Sequence, residues 1–273
     1  MNTKSEKELA FLQDLYIATD WGERFAELVD EHVELPPDGR VLYVAAGTGG
    51  HAMALQERAS EKVKLLCVDG SDECLELARA KAVALHEQTE FQREDANALS
   101  FPDDQFELVL GNASLTPAAD LQQMLAEMVR VAMPGATVAC WLPTASSFGE
   151  FFSIYWEALL NVGLEDHSID VENLIEELPT VRDVEVWAAR EGLKDVRSWT
   201  AIEEFDYDSA EQFLNSPLIT DFLLQNWLQH LPGAARSRVV QELTRIIDEE
   251  RHSGDFALSV KATLVVGRKS RRQ

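Results

Sequence analysis

The sequence has few basic residues for its size and acidity. It contains 24 lysines and arginines against 48 aspartates and glutamates, so the formal net charge of its 273 residues is −24 at pH 7. Nucleic-acid binding depends on Lys and Arg side chains that neutralise phosphates, so this charge argues against a nucleic-acid partner. The basic run Gly267–Gln273 is short and is more typical of a solvated chain end.

Cysteine is also scarce. The three cysteines, Cys67, Cys74 and Cys140, show no spacing typical of metal ligands, and two of them lie inside apolar runs. We therefore expect neither a disulfide framework nor a metal site, and a reducing compartment is the default. No apolar run approaches the roughly 20 residues that cross a bilayer, and MNTKSEKELA lacks the apolar core of a signal peptide. These absences predict a cytoplasmic location and no membrane partner.

The sequence does contain a regular alternation of short apolar runs and amphipathic helices from Val41 onward. Helices are predicted near 51–60, 73–87 and 118–132, between the first five of these runs. Strand, helix and strand in this rhythm, with continuously apolar strands, predict an α/β protein with a doubly wound parallel sheet covered on both faces. The predicted strands are 41–46, 62–69, 90–95, 106–112, 136–142, 195–205 and 256–269.

The domain organisation follows from where this alternation begins and where it is interrupted. Residues 1–37 are predicted to form N-terminal helices that could close over a ligand as a lid. Residues 38–273 are predicted to be one α/β domain, because no linker rich in Pro, Gly or Ser divides them. Helical patterns at about 146–191 and 206–254 are predicted to be insertions that form a helical cap.

The stretch VLYVAAGTGGHA, residues 41–52, runs from a buried strand through a Gly-rich turn into a helix. Glycine lets the backbone approach a ligand closely, and the first turn of the helix offers free N–H groups. The pattern Gly47-x-Gly49-x-x-Ala52, followed by Asp69, also fits the fingerprint of dinucleotide-binding folds. The turn therefore indicates a nucleoside-containing ligand but does not distinguish a dinucleotide from S-adenosylmethionine.

Polar residues at the ends of later strands favour the second ligand. Asp69 follows the second strand, where a carboxylate suits ribose hydroxyls, and Asp95 follows the third, where one suits an adenine amine. Asn112 follows the fourth strand and could hold an ammonium group. No Lys or Arg in this set would neutralise a pyrophosphate. Together these polar residues suit a ligand that contains adenine, a ribose and an amino acid.

With these motifs in order, the chain resembles the class I S-adenosylmethionine-dependent methyltransferases. The first motif is similar to residues 43–49, the second to VDGSDECLELARAKA, and the third to REDANALSFPDDQFELVL. MLAEMVRVAMPGATVAC resembles the helix, Pro-Gly turn and fifth strand of that family. The resemblance covers residues 38–142. Beyond them it is limited to residues 192–196 and 260–269, which resemble the last two strands of the family. In this chain Tyr43 replaces the acidic residue of the first motif, and Ala45 replaces its first glycine.

The resemblance implies a Rossmann-like, doubly wound seven-stranded sheet whose last strand is antiparallel, and S-adenosyl-L-methionine as the cofactor. It also implies a set of cofactor-binding residues at the carboxyl ends of the strands. That set is Ala45, Ala46, Gly47, Thr48, Gly49, Asp69, Gly70, Ser71, Asp95, Ala96 and Asn112.

Aromatic residues are the candidates for binding a methyl acceptor. Phe148, Tyr155 and Trp156 recur at helical spacing in the first insertion, a pattern that is also typical of a helix packed in a core. Trp141 ends the fifth strand, and Tyr16 lies in the N-terminal helices. No motif identifies a catalytic base. His51 alone among the histidines is near the predicted cofactor turn.

The predicted function is methyl transfer from S-adenosylmethionine to a small organic molecule by direct in-line displacement. Such a reaction needs orientation and exclusion of water more than covalent help from the protein. Two alternatives remain open from the residues: an NAD(P)-dependent oxidoreductase, and a catalytically silent protein that only binds S-adenosylmethionine. The oligomeric state is not predicted.

Overall fold

A computed structural model of the chain describes residues 4–86, 89–250 and 256–271. Seven strands form one sheet in the order β3-β2-β1-β4-β5-β7-β6. The first five strands pair in parallel, and β7 pairs antiparallel to β5. The strands are β1 Gly39–Val44, β2 Val63–Asp69, β3 Glu90–Arg93, β4 Phe106–Asn112, β5 Ala132–Pro143, β6 Leu193–Tyr207 and β7 Phe256–Lys269. The predicted fold class is confirmed.

The strand order reverses between β1 and β4, which both pair with partners in parallel register. Open α/β sheets bind ligands at such a switch point, outside the carboxyl ends of the strands. The turn that follows β1 therefore lies where a ligand site is expected. The antiparallel strand β7 lies beside β5, with Cys140 opposite Val265.

Helices join the strands. Those in the first half are α1 Glu6–Leu12, α2 Glu23–His32, α3 Gly50–Arg58, α4 Asp72–Leu85 and α5 Ala118–Val131. Those in the second half are α6 Gly149–Asn161, α7 Ser168–Glu177, α8 Val181–Arg190, α9 Ala210–Asn215, α10 Leu224–Trp227 and α11 Gly233–Glu250. Two π-helical segments, Gln13–Gly22 and Leu218–Leu223, are continuous with α2 and α10.

The chain divides into two compact units. The sheet unit comprises Lys4–Pro143, Thr180–Ala201 and the residues from Ala262 onward. The helical unit comprises Thr144–Pro179 and Ile202–Lys261. Helix α8, which the sequence analysis placed within the first insertion, thus belongs to the sheet unit. That the insertions act as a cap stays a prediction, as does the lid role of residues 1–37.

The core of the sheet unit is built from the continuous apolar strands. Leu42, Val44, Phe106 and Val109 are fully buried against α5, which contributes Met124 on its inner face. The N-terminal helices also belong to this unit and bury Trp21 and Phe25, whose rings lie 4.9 Å apart.

The helical unit has an aromatic core of its own. The rings of Phe151 and Trp227 stack with centroids 4.3 Å apart, and Phe213 and Tyr155 lie against Phe151. The apolar face of α6 is therefore buried within this unit. Among the described residues, no helix is both long enough and apolar enough to cross a membrane.

Candidate functional site

The Gly-rich turn leaves β1 with a sharply bent backbone. Ala45, Gly47 and Gly49 have φ angles of 54°, 56° and 77°, in the left-handed region that favours glycine. The turn is tied to the sheet, because the Ala46 N–H donates to the Val68 carbonyl over 3.0 Å. It is tied to itself by a bond from the Gly49 N–H to the Ala46 carbonyl, also 3.0 Å. These bonds hold the turn at the switch point of the sheet.

Space around Gly49 is tightly filled. A Cβ added there would lie 2.9 Å from the Phe91 ring and 3.1 Å from the Ala78 methyl group. Between the two glycines, Thr48 is buried, and its hydroxyl oxygen has no hydrogen-bond partner among the described residues. Buried polar groups are normally paired, so a contact of this hydroxyl with a ligand at the turn stays a prediction.

The Asp69 side chain holds the turn by hydrogen bonds to backbone N–H groups. Its Oδ2 accepts a 2.8 Å hydrogen bond from the Gly47 N–H, and its Oδ1 accepts a 2.9 Å bond from the Ser71 N–H. Burial raises the pKa of the Asp69 carboxyl, and the backbone bonds from Ser71, Gly47 and Gly70 oppose that rise. A carboxylate has about four acceptor positions. After these three backbone N–H groups about one position remains, and its use by a ribose hydroxyl stays a prediction.

The other predicted cofactor residues lie at the carboxyl ends of neighbouring strands. Asp95 is exposed after β3 and accepts a 2.9 Å bond from the Asn97 N–H, while Ala96 packs against the sheet core. Asn112 ends β4, and its Oδ1 accepts a 3.1 Å bond from the Ser114 N–H. Ser71, beside Gly70, caps α4 by accepting from the Cys74 N–H over 3.2 Å. Their roles toward a cofactor stay predictions.

A cavity of about 590 Å³ opens beside the turn, and all of its lining belongs to the sheet unit. Gly47, Thr48, Gly49 and Asn112 line it together with residues of the N-terminal helices. Its charges are mainly acidic: Asp14, Glu23, Glu27 and Asp30. Among the described residues that line it, Lys81 is the one lysine or arginine, and it forms an ion pair with Asp14. The cavity therefore favours a cationic or neutral ligand over a phosphate.

The N-terminal helices cover one side of the cavity. Gln13 lies over the turn: a Cβ on Gly47 would come within 2.9 Å of its Nε2, and its Oε1 accepts from the Cys74 thiol over 3.4 Å. Ile17 and Trp21 are buried and also line the cavity. Tyr16, the predicted acceptor contact in this segment, is 54% exposed and is not among the described lining residues.

The remaining predicted acceptor residues are not among the described residues that line this cavity. Trp141 is buried at the end of β5, with its ring 5.5 Å from that of Tyr43. Phe148 and Tyr155 are buried in the aromatic core of the helical unit, and Trp156 is half-buried beside a surface hollow of about 390 Å³ in that unit. The structure tests none of these as acceptor contacts.

A hydrogen-bonded chain at the cavity wall was not predicted from the sequence. The Tyr43 hydroxyl lies 3.0 Å from His51 Nδ1, and His51 Nε2 lies 3.1 Å from Asp30 Oδ1. Arg58 also donates to Asp30 Oδ1. Tyr43, His51 and Asp30 all line the cavity. They come from β1, α3 and α2, so no local motif connects them.

No three His, Cys, Asp or Glu side chains within the described ranges come together as a metal ion would require. The cysteine Sγ atoms are buried thiols without disulfide partners.

Known proteins that are similar to this chain include methyltransferases. A family described as a methyltransferase domain matches residues 41–135. The demethylmenaquinone methyltransferase of Deinococcus radiodurans is 37% identical over 149 residues, which are 54% of this chain and 61% of that protein. The chain thus spans about six-tenths of the length of the curated relatives that it matches first.

Two solved structures share the fold over most of the chain. The YcgJ protein of Bacillus subtilis aligns with a TM-score of 0.60 at 18% identity, covering 92% of this chain and all of that one. Phosphoethanolamine N-methyltransferase 2 of Haemonchus contortus, solved with S-adenosylhomocysteine, aligns with a TM-score of 0.58 at 15% identity, covering 99% of this chain and 59% of that one. With the domain match over residues 41–135, the sheet order and the motifs after β1 and β2, the chain is similar to the class I S-adenosylmethionine-dependent methyltransferases.

Proposed function

We propose that this protein is an S-adenosylmethionine-dependent methyltransferase that acts on a small organic molecule. The observation that carries the proposal is the Asp69 carboxylate, which holds the Gly-rich turn through Gly47 while keeping an acceptor position for a ribose hydroxyl. The family match and the acidic cavity beside the turn support it.

Each part of the cofactor has candidate partners on this chain. Asp69 would accept from the ribose hydroxyls, and the residues Asp95 and Ala96 would meet the adenine. The turn from Ala45 to Gly49 would hold the amino-acid part, with the Thr48 hydroxyl as a further polar partner. Asn112 would contact the ammonium group. When bound, S-adenosylmethionine supplies an electrophilic methyl group on a positively charged sulfur.

The charge of the cavity supports this cofactor over a dinucleotide. A sulfonium is attracted by the excess of carboxylates in this lining, chiefly Glu23 and Glu27, because Asp14 pairs with Lys81 and Asp30 with Arg58. A pyrophosphate would be repelled by the same excess. The ion pair of Lys81 with Asp14 further reduces what that lysine could offer a phosphate. An NAD(P)-dependent oxidoreductase is therefore not favoured.

The acceptor is proposed only as a class. Relatives such as that of Deinococcus radiodurans are named for demethylmenaquinone, which is a small molecule, and the cavity of about 590 Å³ has room for one. Methyl transfer then depends on orientation and exclusion of water within the cavity. The N-terminal helices that cover one side of it, with Gln13 over the turn, are the proposed lid.

Calorimetric titration of the full chain with S-adenosylmethionine, S-adenosylhomocysteine, NAD and NADP tests the cofactor. We expect binding of the two adenosyl-amino-acid compounds and none of the dinucleotides at the same concentrations. Preferential binding of NAD or NADP would contradict the proposal.

Methyl transfer is tested separately, by mass-spectrometric screening of phenols, quinols and amines for a gain of one methyl group with S-adenosylmethionine present. Binding without transfer to any of them would favour the catalytically silent alternative.

Substitution of Trp156 by Ala tests the acceptor prediction. If Trp156 contacts the acceptor, the variant should change which compounds in the screen are methylated and leave cofactor affinity unaltered. Ile169→Ala, on an exposed side chain of the helical unit, is the matched control. An unchanged acceptor range with lowered stability would mean that Trp156 only packs in its own unit.

A further inference from the structure

The direction of the hydrogen bonds in the chain Tyr43, His51 and Asp30 follows from the groups themselves. A carboxylate accepts hydrogen bonds and does not donate them, so the proton between Asp30 and His51 belongs to His51 Nε2. In a neutral imidazole the other nitrogen is then an acceptor. His51 Nδ1 therefore accepts from the Tyr43 hydroxyl across 3.0 Å.

In this arrangement Tyr43 is the end of the hydrogen-bonded chain that can still accept a hydrogen bond. Both His51 nitrogens form hydrogen bonds. The Tyr43 oxygen keeps its lone pairs free to accept while its O–H donates to His51. Burial raises the pKa of Tyr43, so this side chain stays a neutral phenol. A phenol in that position can receive a proton only while it gives its own to His51.

Asp30, at the other end of the hydrogen-bonded chain, is suited to stabilise a protonated imidazole. Burial tends to raise the pKa of Asp30, but the bonds from His51 and Arg58 outweigh it and lower that pKa. Asp30 therefore stays an anion beside His51, as the orienting carboxylate does in other acid–base pairs. Trp141 fixes the geometry from the other side, with its ring edge-on to both Tyr43 and His51 at 5.5 and 6.0 Å.

We propose that Tyr43, His51 and Asp30 form a proton relay that takes the proton of a hydroxyl-bearing methyl acceptor bound in the cavity. The inference rests on the proposed function and specifies its substrate class: a phenol or enol, whose oxygen becomes a good nucleophile only when its proton leaves. Tyr43 is the residue that meets the acceptor. His51 receives the proton, and Asp30 is a positioning residue.

The step balances without a further reactant. The acceptor proton moves to the Tyr43 oxygen while the Tyr43 proton moves to His51 Nδ1, which becomes an imidazolium paired with Asp30. The acceptor oxygen uses its lone pair to bond the methyl carbon, and the electron pair of the broken carbon–sulfur bond stays on sulfur. One proton remains on His51, whose side chain is 14% exposed, and leaves from there to solvent.

The first experiment measures the relay without any ligand. Nitrogen-15 NMR of the imidazole, at a pH where the ring is neutral, should place the His51 proton on Nε2, with the signal assigned by its loss in His51→Gln. Asp30→Asn should shift the tautomer population toward Nδ1, and Glu31→Gln, on the exposed neighbouring residue, should not. A proton on Nδ1 in the unaltered protein would overturn the relay.

The second experiment uses 4-nitrophenol as the probe, with S-adenosylhomocysteine present, and follows the phenolate absorbance. The unaltered protein should increase the ratio of ionised to neutral probe about tenfold over free probe at the same pH, which corresponds to one pKa unit. Tyr43→Phe, which keeps the ring and its packing on Trp141, should abolish the increase. An equal increase in Tyr43→Phe, or none in the unaltered protein, would overturn the proposal.

The two proposals fail in distinguishable ways. S-adenosylhomocysteine should bind the Tyr43→Phe, Asp30→Asn and Glu31→Gln variants within about threefold of the unaltered protein, because each keeps the Asp69 site. If the compound binds none of them, the unaltered protein included, the proposed cofactor is wrong while the tautomer measurement still reports on the relay. If it binds all of them and the probe does not ionise, the cofactor stands and the relay does not.

Discussion

The cavity has two sides that differ in how the chain builds them. On one side lies the turn through Gly47 and Gly49, which Asp69 holds by a hydrogen bond to Gly47. These residues come from consecutive elements, β1, α3 and β2. On the other, Tyr43 and His51 meet Asp30, which lies on α2, 21 residues before His51. The first side uses backbone N–H groups and one carboxylate, and the second uses side chains only. Local sequence patterns can encode the first, whereas the second depends on how α2 packs.

This difference predicts different responses to substitution. The cofactor side should control affinity and turn geometry, since its groups are proposed to touch the ligand or shape the backbone around it. The relay side should control proton transfer and the pH dependence of stability, with little effect on cofactor affinity.

The largest effect is expected for Asp69→Ala. The substitution removes the proposed bond to the ribose, and a bond to a charged acceptor contributes about 1.5–3 kcal/mol. Affinity for S-adenosylhomocysteine should fall at least tenfold by calorimetry, with an intact far-ultraviolet spectrum. Glu76→Ala, on the exposed face of α4, is the control and should bind normally. Unchanged affinity in Asp69→Ala would remove the ribose assignment and, with it, the main contrast between the two sides.

Gly49→Ala should mainly lower stability. The turn would hold the alanine at a φ of 77°, which strains an L residue, and its Cβ would lie 2.9 Å from the Phe91 ring. The free energy of unfolding should therefore fall by about 2 kcal/mol or more. Gly163→Ala is the matched control, because Gly163 has a φ of 69° but nothing within 4 Å of an added Cβ. The control should lose only about 1 kcal/mol, the cost of the backbone alone. Equal losses in chemical denaturation would mean that the turn tolerates the contact with Phe91.

Much of the cofactor side could be predicted from the sequence for this reason. The sequence pattern predicted all seven strands, the sixth of them from its alternation. Strand β4 has the predicted limits, because its nearly continuous burial leaves a clear apolar run. The motif positions placed Gly47, Asp69 and Asn112 at neighbouring strand ends, where the structure has them. Strand β1 ends at Val44 rather than at residue 46, since Ala45 already turns into the left-handed region.

The relay could not be predicted in the same way. Tyr43 was interpreted only as the replacement of an acidic residue, and the sequence contains no sign that its hydroxyl meets His51. Asp30 lies in a helix whose pattern shows which face is buried but not which loop that helix approaches. The aromatic stripe of α6 shows the same limit, because helical spacing alone does not distinguish a core from an acceptor pocket.

A pH-dependent effect is expected on the relay side. The pKa of Asp30 is lowered in the folded protein, so its contribution to stability is present above the ordinary carboxyl range and is lost as the pH falls through the lowered pKa. Asp30→Asn should therefore be less stable than the unaltered protein near pH 7, by less than about 1 kcal/mol, because the Asp30 side chain is 34% exposed and solvent screens the pair. The difference should vanish on acidification in urea melts. A difference that persists at low pH would assign the loss to packing.

The smallest effect is expected where the two sides join, at Ala45 between Tyr43 and Gly47. Its φ of 54° strains an alanine, which glycine would relieve at the cost of a more flexible unfolded chain. Ala45→Gly should therefore raise the free energy of unfolding by about 0.5–1 kcal/mol. Ala46→Gly, next in the chain and not at positive φ, should lower it by a similar amount, because it only adds that flexibility. If Ala45→Gly also changes affinity for S-adenosylhomocysteine, the backbone strain at Ala45 helps to shape the cofactor side. Unchanged affinity would mean that the bonds of Asp69 and Val68 hold the turn and that the two sides act independently.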